Sequence, residues 1–330
     1  MTLKQKIAVV IPTYKARNHI VTVLSEIGAE VATIYVVDDA CPENSGDFVA
    51  SSCQDERIKI LRLEKNKGVG GAVMAGYRAA IDDGNDIIVK IDSDGQMDPS
   101  LILDFVMPII DGDADYTKGN RFFDLEKVQS MPKIRLIGNA VLSLMSKISS
   151  GYWNIFDPTN GYTAIHASVA NRLPFEKISD RYFFETDMLF RLNTLRALVV
   201  DIPMEAKYGD EVSHLKVSKI ITEFLLKHCR NFIKRIFYNY YLRDMSLASI
   251  LLPLGLLSLL FGGAYGIYQW IQSSQVGVAT TAGTVMLSAL PIIAALQFLL
   301  GFISYDMSAI PTRVIHKSSL LSTRKGTNSC

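Results

Sequence analysis

Between Met245 and Tyr305 the chain has no aspartate, glutamate, lysine or arginine, although charged residues make up 20% of its 330 positions. That gap excludes an ordinary water-facing surface for the stretch. It divides into two apolar runs, Ser246–Ile271 and Thr284–Tyr305, each long enough to cross a hydrocarbon layer of roughly 30 Å as a helix of about 20 residues. Cysteine is scarce as well: Cys41, Cys53, Cys229 and Cys330 fall at spacings of neither a zinc ligand set nor a secreted disulfide framework and read as reduced thiols. Net charge is nearly absent, with 34 Lys+Arg against 33 Asp+Glu, so no overall field favours nucleic acid. His166 and His214 lack Asp or Cys neighbours at ligand spacing, which argues against zinc. The N-terminus has too short an apolar run for a signal peptide and enters a strand-like segment at once.

The flanks of the uncharged stretch carry its missing charge. Lys219, Lys227, Arg230, Lys234, Arg235 and Arg243 precede it, and Arg313, Lys317, Arg324 and Lys325 follow. The positive-inside rule then places both flanks in the cytoplasm and the short intervening loop outside. Residues 217–244, "VSKIITEFLLKHCRNFIKRIFYNYYLRD", combine helical amphipathicity, basic residues and tyrosines, as expected of a helix lying at a membrane interface. Lys234, Arg235 and Arg243 are expected there to attract an anionic lipid head group.

The first two-thirds alternates differently. Strand-like runs at 6–12, 33–39, 58–64, 86–92 and 114–119 are separated, for the first four, by helix-like stretches at 18–30, 45–54 and 70–83. Repeated strand–helix–strand units predict right-handed crossovers and a mostly parallel sheet covered on both faces. Ligands of such sheets bind beyond the carboxyl ends of the strands. Those ends carry Pro12-Thr13-Tyr14, Asp38-Asp39, Asn66-Lys67-Gly68 and Asp92-Ser93-Asp94.

In "IIVKIDSDGQMDP" (87–99) an apolar strand runs straight into Asp92, Asp94 and Asp98. Asp92 and Asp94, two residues apart, can both aim carboxylate oxygens at a hard divalent cation, which often shares its oxygen ligands with substrate phosphates, and Gln96 adds a neutral oxygen. A calcium loop does not fit, because the twelfth position from Asp92 is Leu103 and not a glutamate. Gly68, Gly70 and Gly71 follow the third strand-like run, whereas a dinucleotide fingerprint follows the first.

Taken together, "VVIPTYKA", "YVVDDACPENS", "NKGVGGAVMAGYRAA" and "KIDSDGQMDP" resemble the nucleotide-sugar half of family 2 glycosyltransferases. "KGNRF", "DPTNGYTAIH", "FFETDMLFRL" and the paired apolar runs are similar to the branch of dolichol-phosphate mannose synthases and bacterial polyprenyl-phosphate glycosyltransferases. The resemblance implies an α/β GT-A fold, Rossmann-like with a mostly parallel sheet, followed by a two-helix transmembrane hairpin. The expected divisions are a catalytic domain at 1–216, basic amphipathic juxtamembrane helices at 217–245, two transmembrane helices at 246–306 and a cytoplasmic tail at 307–330.

Carried over by position, the resemblance implies that Pro12, Tyr14, Asp38, Asp39, Gly68, Gly70 and Asp92 surround the nucleotide, with Asp38 also suited to capping the next helix. Asp92, Asp94 and Gln96 would hold Mg2+ or Mn2+. Asp92, Asp94, Arg121, Glu185 and Asp187 are the expected catalytic group, and Asp157, Asn160, Ser213 and Lys216 would border the acceptor or diphosphate. The implied reaction is inverting transfer from a nucleotide sugar, UDP-linked in preference to GDP-mannose, to a polyprenyl phosphate at the cytoplasmic face of a membrane, the bacterial inner membrane being favoured. The partners are then the donor, the lipid and the membrane, without nucleic acid; a homo-oligomer is left open. A processive polysaccharide synthase is the first alternative, but Trp153 and Trp270 are the only tryptophans and neither completes a Gln-x-x-Arg-Trp motif. A non-catalytic membrane-tethered nucleotide-sugar binder is the second, and the intact Asp92, Asp94 and Gln96 weigh against it.

Overall fold

The structure, a computed structural model, describes residues 5–123, 133–205 and 217–317. Seven strands form one sheet: β1 (Ile7–Thr13), β2 (Val31–Asp38), β3 (Ile58–Arg62), β4 (Ile87–Lys90), β5 (Tyr116–Asn120), β6 (Thr163–His166) and β7 (Val199–Pro203), in the order β3-β2-β1-β4-β6-β5-β7. β1 pairs parallel with β2 and β4, and β2 with β3. Every residue of β1 and β4 is buried, as continuous apolar strands covered on both faces must be.

The parallel half is built by α1 (Ile20–Glu26), α2 (Ser45–Ser52), α3 (Gly68–Asp82) and α4 (Ile102–Asp111). β6 departs from the expected order. It runs antiparallel between β4 and β5, and β7 returns parallel to β5. Neither strand is legible as an apolar run, because each is short and ends beside polar residues. α5 (Lys133–Ser150), the single turn α6 (Ala167–Ala170), α7 (Phe184–Leu195) and α8 (Val217–Phe237) complete this part.

The described chain up to Phe232, together with Pro311–Lys317, forms one compact unit, and Ile233–Ile310 forms a second. In the first, the returning segment is fastened to Asp115 at the entry to β5. Asp115 is fully buried and accepts from the backbone N–H groups of Leu198, Ile315 and His316 and from the ring of His316 at 2.7 Å. His316 also stacks on His166, with centroids 4.4 Å apart.

The second unit holds α9 (Leu247–Val276) and α10 (Ala282–Ser308), both long and apolar enough to cross a membrane, with mean hydropathy of 2.0 and 2.2. They pack as a hairpin. A β-carbon at Gly262 would stand 2.8 Å from the Ser288 carbonyl oxygen, so glycine permits the close backbone approach seen between apolar helices. Arg235 is buried in the same unit and paired through Nη1 and Nη2 with Asp306 at 2.6 and 2.9 Å. The expectation that Arg235 faces a lipid head group is thus corrected: its charge is taken up by Asp306, just past the end of the uncharged stretch.

Candidate active site

The carboxyl ends of β1, β2 and β4 and the N-terminus of α3 enclose a cavity of about 390 Å³. Pro12, Thr13 and Tyr14 line it from the end of β1, Asp39 from just past β2, Gly68 from α3, and Asp92 and Asp94 from the turn after β4, with Arg181 and Tyr182 also on its wall. Asp39 is 3% exposed. Its oxygens accept from the backbone N–H groups of Lys67 and Gly68 at 2.7 and 2.8 Å, so one carboxylate fixes the turn that opens α3.

Two expected members of this group sit elsewhere. Asp38 accepts from the backbone N–H groups of Cys41 and Gly46 at 2.8 and 2.7 Å, and the second bond satisfies a donor in the first turn of α2 that the helix itself leaves unpaired. Gly70 is required by packing: a β-carbon there would lie 2.3 Å from the Ser179 carbonyl oxygen. Gly68 does line the cavity and has φ of +82°, a conformation that favours glycine.

A second cavity of about 140 Å³ adjoins the first and shares Asp92 and Asp94 with it. Gln96, Arg121, Asn160, Gly161 and Glu185 are among its walls. Asp94 accepts from the backbone N–H of Gln96 at 2.9 Å, a local turn that holds its carboxylate in place. Among the described residues no group of three or more His, Cys, Asp or Glu gathers as metal ligands do. The protein therefore offers Asp92, Asp94 and the Gln96 amide, a hard-oxygen set that suits Mg2+ or Mn2+ only when phosphate oxygens and water complete the shell.

Arg121, just past β5, is held by Asp157, with Nε–Oδ2 at 2.7 Å and Nη2–Oδ1 at 3.1 Å. Asp157 is 1% exposed and does not itself line the small cavity. The Asn160 side chain accepts from Tyr162 N–H at 2.9 Å, and the backbone carbonyl oxygen of Asn160 accepts from the buried Lys118 ammonium of β5. Glu185, in the first turn of α7, faces the small cavity. Burial raises its pKa to about 7, against the opposing pull of Lys90 and Lys118.

Asp187 is turned away from this group. It is 5% exposed and accepts from Ser179 N–H and from the Asn231 amide, each at 3.0 Å, tying α7 to its preceding loop and to α8. Its expected catalytic place is corrected to a structural one. Ser213 and Lys216 lie outside the described residues. Sequence reasoning missed Lys90, Lys118, Arg181, Tyr182 and Met204. Lys90 and Lys118 carried a signal, since lysines inside fully buried strands are rare unless paired.

Residues 8–173 match Glycosyl transferase family 2, and the chain belongs to that family. It is a glycosyltransferase. It is 29% identical over 203 residues to an undecaprenyl-phosphate mannosyltransferase of Micrococcus luteus, covering 60% of this chain and 82% of that one. It is 26% identical over 218 residues to a UDP-N-acetylglucosamine–dolichyl-phosphate N-acetylglucosaminyltransferase of Methanococcus voltae, covering 62% and 86%. Among solved structures, glucosyl-3-phosphoglycerate synthase of Mycobacterium tuberculosis in complex with UDP shares the fold, with a TM-score of 0.53 at 16% identity over 70% of this chain and 80% of that one.

Proposed function

We propose that this protein transfers a sugar from a nucleoside-diphosphate sugar to a polyprenyl phosphate at the cytoplasmic surface of a membrane crossed by α9 and α10. The observation that carries the reading is the meeting of two cavities at one pair of carboxylates, Asp92 and Asp94. The larger suits a nucleotide, with Asp39 and the N-terminus of α3 on its wall. The smaller suits the sugar and the incoming acceptor phosphate, with the Arg121 guanidinium and Glu185 on its walls. Relatives named for undecaprenyl and dolichyl phosphate and two helices of membrane-crossing length support the lipid acceptor. UDP-sugars are the favoured donors and GDP-mannose the alternative.

The chemistry follows from the acceptor. A phosphate monoester has a second pKa near 6, so its oxygen is already largely anionic at neutral pH and no strong general base is needed. That oxygen attacks the anomeric carbon opposite the diphosphate. The new C–O bond forms as the old one breaks, and the nucleoside diphosphate leaves with the bonding pair, inverting the configuration. Arg121, oriented by Asp157, is placed to offer its positive charge to phosphate oxygens. Asp92, Asp94 and Gln96 would hold a divalent cation, which would supply charge neutralisation to the leaving diphosphate. Glu185 is placed to accept hydrogen bonds from sugar hydroxyls.

The test is a panel of UDP- and GDP-sugars offered to the purified full chain with undecaprenyl phosphate, and in parallel with unphosphorylated undecaprenol. Glycolipid formed with the phosphate alone is the expected result. Transfer to undecaprenol, or to neither lipid with any donor, overturns the assignment.

A further inference from the structure

The candidate site carries a cation of its own. Lys90, the last residue of β4, is 1% exposed, and its Nζ lies 2.6 Å from Asp92 Oδ1 on a side chain that is 28% exposed. The Phe184 ring centroid is 5.6 Å from the same ammonium. A β-carbon added at Gly161 would stand 2.3 Å from Lys90 Nζ and 2.7 Å from Asp92 Oδ2. The pair is therefore packed between an aromatic ring and the Gly161 backbone, and the ammonium has little freedom to leave Asp92.

Two consequences follow. One Asp92 oxygen is engaged by Lys90, which leaves the other oxygen the more available to a divalent cation. Lys90 also offsets one of the three carboxylates, Asp92, Asp94 and Glu185, that line the small cavity. A fixed positive charge held against one of these carboxylates opposes occupancy of the same group by a divalent cation.

We infer that Lys90 is a positioning residue that holds Asp92 in its working orientation and makes cation binding conditional on the donor. Without nucleotide, Lys90 supplies the positive charge the carboxylates require. The diphosphate then brings the negative charge that draws a divalent cation in, so donor and cation bind together. The inference rests on the donor and cation reading proposed above.

Mn2+ affinity of the full chain in detergent, measured by electron paramagnetic resonance with and without UDP and with no transfer assayed, tests it. Wild type is expected to bind Mn2+ weakly alone and at least tenfold more tightly with UDP. Lys90→Met is expected to bind Mn2+ alone at least tenfold more tightly than wild type, with the gain from UDP reduced. Lys90→Gln, which removes the charge but keeps a donor for Asp92, should shift in the same direction and keeps the test open if Lys90→Met fails to fold. A misfolded site cannot produce tighter binding. If wild type shows the UDP effect but both variants bind Mn2+ no more tightly than it does, Lys90 has no such role while the donor reading stands. If wild type binds no Mn2+ even with saturating UDP, the cation reading falls and this inference with it.

Discussion

Arg121 and Asp157 form a two-pronged ion pair, Nε–Oδ2 at 2.7 Å and Nη2–Oδ1 at 3.1 Å, that joins the end of β5 to the loop before β6. Because Asp157 is buried and Arg121, 28% exposed, lines the small cavity, the pair orients a guanidinium at that cavity. Lysine keeps the charge but not the fork. Arg121→Lys is expected to lower kcat/KM at least tenfold with Tm within a few degrees of wild type. Arg121→Ala, which strands a buried carboxylate, is expected to cost about 1–3 kcal/mol in stability as well. Steady-state kinetics and thermal melts on both variants check this; unchanged kinetics in Arg121→Lys contradict it.

Glu185 and Asp187 give a contrasted pair. Glu185→Gln is expected to reduce transfer at least tenfold. Asp187→Asn is expected to lower stability by about 1–3 kcal/mol, since hydrogen bonds to a charged buried group are weakened, while donor KM changes less than twofold. The linkage sign for Glu185 follows from its raised pKa of about 7: ionising it in the folded state is costly, and that cost is present above about pH 7 and relieved as pH falls toward 4.5. Melts should therefore show Glu185→Gln gaining more Tm over wild type at pH 8 than at pH 5. An equal difference at both pH values contradicts the assignment.

His166 predicts a separate acid sensitivity. Burial, then the neighbouring His316, lowers its pKa to about 4. Between pH 6.5 and about 4 the unfolded chain binds a proton that the folded chain does not, so stability falls across that window. His166→Asn can keep the acceptor for Ser168 N–H while removing the titration, and should flatten part of the decline in Tm. His228, lowered to about 4 by burial, contributes with the same sign. A Tm slope identical to wild type contradicts this.

Arg235 and its basic neighbours should separate by experiment. Removing Asp306 leaves the buried Arg235 charge without compensation, at about 3–5 kcal/mol, so Asp306→Ala should melt well below wild type. Neutralising Lys234 and Arg243 to Gln should instead raise the apparent KM for polyprenyl phosphate, with an effect that shrinks at high salt. Donor KM should not change. If the double variant loses donor binding with unaltered lipid kinetics, the basic segment belongs to the donor pocket.

Much of this was legible in the sequence, for identifiable reasons. Continuous apolar strands running into polar clusters marked β1, β2 and β4 and set Asp39, Asp92 and Asp94 at one sheet edge. The two apolar helices needed only hydropathy. What sequence could not supply depended on partners far along the chain. Arg235 meets Asp306 and Asp115 meets His316, so neither pairing leaves a local signature. Glu185 and Asp187 lie two residues apart on one helix, about 200° around its axis, so only one faces the cavity, and spacing does not say which. β6 is four residues long and enters the sheet against the prevailing direction, where the strand–helix–strand rhythm predicts nothing.

The central claim is that Asp94 belongs to both the donor and the acceptor cavity and that transfer takes place there. Its most direct test is single-turnover transfer of a labelled sugar from the donor to undecaprenyl phosphate by Asp94→Asn, with Tm and circular dichroism measured on the same preparation. The account predicts a rate at least a thousandfold below wild type, roughly 4 kcal/mol of lost transition-state stabilisation, with the fold and Tm retained. A folded Asp94→Asn protein that transfers sugar at the wild-type rate contradicts it.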